Sequence, residues 1–129
     1  MEFCLAAALL YRKVGLSEFH DEVINRPEVQ ALIARIHFGV NPVAEAAGYD
    51  KMATLIDVHM KDGRTISGRA DFAKGSPANP MSWDEVAAKF MDCAAFAKWP
   101  LVKSKAILAM LGRLETVPNI RQLTSFCAA

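Results

Sequence analysis

The chain has 129 residues, with 15 basic and 14 acidic side chains and a formal net charge of +1. That length fits one domain spanning 1–129, and a balanced charge with no block of one sign excludes a nucleic-acid surface or an anionic-membrane patch. Hydrophobic residues make up 53%, above the about 45–50% usual even when glycine is counted as apolar, so some of that surface is expected to face a partner.

Met1 is followed almost at once by the apolar run Phe3 to Leu10, with no Ser, Thr, Asp or Asn to cap a helix. The pattern predicts a helix from Phe3 to Val14, ended by Gly15 in the left-handed conformation. A helix that starts uncapped and is apolar on nearly all faces normally lies inside a larger body. The chain is therefore expected to be a C-terminal piece of a longer protein. The run carries Glu2 and no Lys or Arg ahead of it and is too short to span a bilayer, so neither a signal peptide nor a membrane anchor is expected. Cys4, Cys93 and Cys127 are odd in number and far apart, without a CxxC. Neither a disulfide framework nor a zinc site fits them, and a reducing cytoplasm is the expected compartment.

Ser17 is placed to cap a short helix from Glu18 to Ile24, whose acidic first turn suits the helix dipole. Pro27 fits the first position of a third helix, on which Val29, Leu32, Ile33 and Ile36 share a face. Ile36 to Val40 reads as extended and is broken at Asn41-Pro42. Thr54 to Lys61 then alternates, with Ile56, Val58 and Met60 on one side and Asp57, His59 and Lys61 on the other. Asp62-Gly63 is a favoured pair for a tight hairpin turn. Arg64 to Ala70 returns with Ile66, Gly68 and Ala70 on its apolar side. A hairpin over about 54–70, apolar on one face, is expected to pack against helices on that side.

Lys74 to Pro80 holds too many turn formers for helix or strand. Ser82-Trp83-Asp84-Glu85 has capping-box spacing and opens a helix striped by Trp83, Val86, Ala87, Phe90, Met91, Ala94 and Ala97. Pro100 ends it and can open the next, whose apolar face is Ile107, Leu108, Met110, Leu111 and Leu114. Asn119 is placed to cap a last helix through Phe126. The fold class is α+β: N-terminal helices, a small antiparallel sheet, C-terminal helices.

Little here carries chemistry. His20, His37 and His59 are scattered, without an HxH or HxxxH spacing. Ser67-Gly68 and Gly75-Ser76 lack the GxSxG pattern, and Lys74-Gly75-Ser76 lacks the upstream glycine of a phosphate loop. Cys93 falls on an amphipathic helix, where packing is the ordinary role. No catalytic or metal-binding constellation is visible. The candidates for binding are Arg69 and Lys74, two cations beside a loop stiffened by two prolines, which suit an anionic ligand.

Gly68-Arg69-Ala70-Asp71, followed by Gly75-Ser76-Pro77-Ala78-Asn79-Pro80-Met81-Ser82-Trp83-Asp84-Glu85 and Lys89-Phe90, resembles the C-terminal region of the MmgE/PrpD family. Phe19, Asn25-Arg26-Pro27-Glu28-Val29, Asp62-Gly63-Arg64, Leu114-Glu115, Ile120 and Leu123 agree in order and spacing. That family includes 2-methylcitrate dehydratase, cis-aconitate decarboxylase and iminodisuccinate epimerase. The resemblance implies an enzyme of small di- or tricarboxylates that uses no metal or organic cofactor. A large helical domain is paired with a smaller α+β lid, usually in a homodimer, with the active site between the domains. Its catalytic groups come chiefly from upstream of the matched region, so no catalytic residue is carried onto this chain. The chain is thus expected to be the C-terminal domain of such an enzyme, inactive alone. The alternative is a stand-alone interaction or oligomerisation module that has lost the chemistry. Expected partners are a second copy or a helical domain held through apolar helix faces, with a small carboxylate as possible ligand.

Overall fold

The computed structural model describes residues 1–127. They form two compact units: Met1–Ile36 with the described residues from Trp83 onward, and His37–Ser82. The class is α+β, with helices at both ends and a two-stranded antiparallel sheet between them in the chain.

In the first unit, α1 (Glu2–Tyr11) packs on α3 (Pro27–Ile33), with the short α2 (Asp21–Ile24) between them in sequence. Ala6 and Ala7 of α1 and Val29 of α3 are fully buried. Small side chains at the contact let the two backbones approach closely, and burying Val29 contributes about 1.5–3 kcal/mol. Pro27 holds the first helical position, where its missing N–H costs nothing. The second half of the unit is α5 (Trp83–Phe96), α6 (Leu101–Leu111) and α7 (Arg121–Cys127), which contact one another in order. Ala94, Ile107 and Leu123 are their buried apolar residues. Ser104 is buried too, and its hydroxyl donates to the Pro100 carbonyl at 3.2 Å, so the polar atom is satisfied. The Asn119 side chain accepts from Arg121 N–H at 2.9 Å and opens α7, the role its position suggested.

Three helix ends differ from expectation. α1 stops at Tyr11, and Arg12, not Gly15, takes the left-handed conformation at φ 54°. Arg12 N–H still bonds back to the Ala8 carbonyl, so the turn closes three residues early. Gly15 is extended and opens a 3₁₀ turn, Leu16–Glu18, because the Glu18 carboxylate accepts its N–H at 2.6 Å. Ser17 lies inside that turn, donating to Glu18, and α2 begins only at Asp21. α5 ends before Pro100: Lys98 is left-handed at φ 57°, Trp99 N–H reaches the Ala94 carbonyl, and Lys98 N–H reaches Ala95. Those paired bonds form a Schellman motif, and Pro100 becomes the cap residue of α6.

At the junction of the two units in the sequence, 36–40 form no strand. Asn41 does more than break the chain: its side-chain oxygen accepts from Val43 and Ala44 N–H and caps α4 (Pro42–Ala46). A 3₁₀ turn, Gly48–Asp50, follows. β1 (Thr54–His59) pairs with β2 (Thr65–Ala70) in a register that sets Val58 opposite Ile66 and Ile56 opposite Gly68. The apolar and polar faces are therefore those the alternation required. The turn is longer than the Asp62-Gly63 pair suggested. Met60 N–H bonds Arg64 O and Gly63 N–H bonds Met60 O, leaving Lys61, Asp62 and Gly63 as a three-residue loop. Gly63 at φ 87° supplies the left-handed residue such a loop needs. On the apolar face Ile56 and Met60 are exposed, and Ile66 is 55% exposed.

Candidate functional site

Arg69 sits on β2 opposite Leu55, on the polar face of the hairpin. Its guanidinium is held by Asp71, two residues on: Nε donates to Oδ1 at 2.8 Å and Nη2 lies 2.7 Å from the same oxygen. Along the same face, Ser67 donates to Asp57 at 2.6 Å, and His59 Nδ1 lies 3.0 Å from Thr65 Oγ1. These pairs cross between strands and lie on an open surface. They can hold charge and hydroxyls in place, but none of them lines either of the grooves described below, and an acid–base pair works best where water is excluded.

Lys74 follows in the turn-rich loop, next to Gly75 at φ 90°. The loop is tied across itself. Gly75 N–H donates to Asn79 O at 2.8 Å, Asn79 N–H to Ser76 O at 3.0 Å, and the Asn79 side chain to Phe72 O at 3.3 Å. Beside it lies a groove of about 330 Å³ lined by Tyr49, Met52, Phe72, Ala73, Ser76, Pro77 and Ala78. Neither Arg69 nor Lys74 is among its lining residues. The Ser76 hydroxyl oxygen is buried and has no bonding partner among the described residues.

The first unit carries a second concavity, about 380 Å³, between the segment after α1 and the flank of α5. Lys13, Gly15, Leu16, Phe19, Lys89, Asp92 and Cys93 line it. Lys13 Nζ bonds Asp92 at 3.0 Å and Ser17 at 3.2 Å. The Asp92 carboxylate, with Glu18 beside it, holds the Lys13 ammonium protonated above the usual lysine range. Glu18 is shifted the other way: the Ser17 hydroxyl and the Gly15 N–H hold its carboxyl below the usual range. At the hairpin tip, the backbone N–H and then the guanidinium of Arg64 do the same for Asp62. Sequence reasoning missed the first-unit cluster because 79 positions separate Lys13 from Asp92 and no local pattern joins them. It also missed Asp71, although the spacing Arg69-Ala70-Asp71 at a strand end was a usable signal.

Among the described residues no group of three or more His, Cys, Asp or Glu could hold a metal ion. His20 stacks on Phe96 at 5.7 Å, and the three cysteines are free thiols. No helix among the described residues is long and apolar enough to cross a membrane.

A family profile described as the MmgE/PrpD C-terminal domain matches residues 1–115. The chain belongs to the MmgE/PrpD family. Curated relatives include cis-aconitate decarboxylase from Homo sapiens, 26% identical over 125 residues, covering 96% of this chain and 25% of the relative. The enzyme of the same name from Mus musculus is 27% identical over 125 residues, covering 95% of this chain and 25% of the relative. The chain spans about a quarter of the length of these curated relatives. The MmgE/PrpD match takes in the hairpin, the Lys74–Pro80 loop and the start of α5, the stretch whose motifs suggested the family.

Proposed function

We propose that this chain is the lid-forming C-terminal domain of a cofactor-independent lyase or isomerase of the 2-methylcitrate dehydratase type. Its substrates would be small di- or tricarboxylates, met by Arg69 and Lys74, and its compartment the cytoplasm. The observation that carries this reading is the family match over residues 1–115, against relatives about four times longer. Bond-breaking chemistry would then come from a helical domain, because the polar pairs of the hairpin, Arg69–Asp71 among them, lie on open surface, where an acid–base pair is poorly shielded from water.

The test is an activity assay of the chain with and without a family helical domain supplied in trans, using citrate-like acids. Loss of water or carbon dioxide, or epimerisation, is expected only from the pair. Turnover by the chain alone, or a bound but inactive pair, would defeat the proposal. A second reading, a module that only binds or assembles, is favoured by its open apolar side chains, Leu9, Phe19, Leu101 and Val102 among them. A stable homo-oligomer that ignores the helical domain would support it.

A further inference from the structure

Asp71 approaches Arg69 from one side only. Both contacts, from Nε and from Nη2, fall on a single oxygen of Asp71, Oδ1. A guanidinium has five N–H donors in a fixed fork, and this contact uses two of them on the Nε edge. Among the described residues no other side chain hydrogen-bonds or ion-pairs with the guanidinium, so the N–H groups at the end between Nη1 and Nη2 keep no such partner there. That end matches a carboxylate in the bidentate manner.

We propose that Asp71 is a positioning residue that presets Arg69 as an end-on fork for one carboxylate of a small polycarboxylate ligand. The choice of ligand rests on the carboxylate-processing reading given above. The hairpin supplies its own contrast. Arg64 is held by Asp62 in the same side-on way, at 2.8 Å from both nitrogens. That pair sits at the hairpin tip with side chains 72% and 52% exposed, whereas Arg69 and Asp71 are 45% and 32% exposed. Arg69 is therefore the better fixed of the two, and a fixed donor loses less freedom on binding.

Asp71 also carries a negative charge, which repels an incoming carboxylate at a distance where water weakens but does not abolish the effect. Charge and positioning therefore oppose one another in any simple deletion. Asp71→Asn removes the charge and keeps an acceptor oxygen, while Asp71→Ala removes both. The experiment is titration of the whole chain with tricarballylate at constant ionic strength, followed through the backbone amide signals of the hairpin by NMR. Asp71→Asn should bind about threefold or more tightly than Asp71→Ala. Arg69→Gln and Arg69→Lys should both bind about tenfold more weakly than the parent, because lysine keeps the charge but not the fork. Arg64→Gln should change nothing.

Equal binding by Asp71→Asn and Asp71→Ala would overturn the positioning role. Full binding by Arg69→Gln, or no binding by the parent chain, would overturn the site. An inactive pair in the trans assay, with Arg69-dependent binding intact, would instead count against the enzyme reading alone.

Discussion

Gly15 and Gly63 respond differently to the same added methyl group. At Gly15 a Cβ would meet Asp92 Oδ2 at 3.0 Å, Lys13 Cε at 3.1 Å and Glu18 Oε2 at 3.3 Å. All three are ends of flexible side chains and the backbone is extended, so they can shift. Gly15→Ala should therefore change stability by less than about 1 kcal/mol, since the loss is offset by a less disordered unfolded chain. Gly63 has open space around it but φ 87°, and Gly63→Ala should cost about 1–2 kcal/mol from strain alone. Urea unfolding of both variants checks the contrast. The Glu18 carboxyl gives a pH effect with a definite sign. Its folded-state pKa is lowered by Ser17 and Gly15, so the unfolded chain binds its proton first. The stability it contributes is present above the ordinary glutamate range and lost as pH falls through the lower folded value. Urea midpoints should drop on acidification from about pH 6 to about pH 3.5, and Glu18→Gln should flatten part of that drop. A profile identical to the parent would remove Glu18 from the account.

Among the elements, those with strong periodicity were legible, and three helix ends were not. The faces of the hairpin, the start of α5 after Ser82 and Pro27 at the head of α3 follow from alternation, capping residues and a fixed φ. Two of the misread ends share a cause. Arg12 and Lys98 adopt left-handed conformations that residue type alone does not suggest, because the bonds closing each turn outweigh about 1–2 kcal/mol of Cβ strain. Replacing Lys98 with glycine should therefore stabilise the chain by about 0.5–1 kcal/mol, a rise readable in the thermal midpoint. Ile107 offers the opposite case on α6. It is 2% exposed, and Ile107→Ala should cost about 2–5 kcal/mol by leaving a cavity. That is a large share of the about 5–15 kcal/mol that holds a typical domain together.

For the whole molecule, the family was legible because motif order spans nearly the full chain, and the profile match bears that out. Of the candidate polar groups, the sequence pointed to two cations, Arg69 and Lys74. The separate cluster around Lys13 is assembled by folding of the first unit, and in the second unit Arg69 draws its partner from beyond the strand end, Ala70 lying between them. The excess of apolar residues, read from composition, reappears as open side chains in both units, with Val102 81% exposed. Such surface usually marks an interface. At high concentration the chain should self-associate, with light scattering giving a mass above that of one copy. Adding the helical domain should suppress the effect if both compete for the same faces. A stable monomer at every concentration would refute that expectation.

The β1–β2 ribbon has no interior strand. With Met60 and Arg64 in a bonded pair, alternation places the amides of Leu55, Asp57, His59, Thr65, Ser67 and Arg69 along the outer rims. In heavy water these six should take up deuterium well before Ile56, Val58, Ile66 and Gly68. Slow uptake at the rims of only one strand would reveal which side of the ribbon another polypeptide covers.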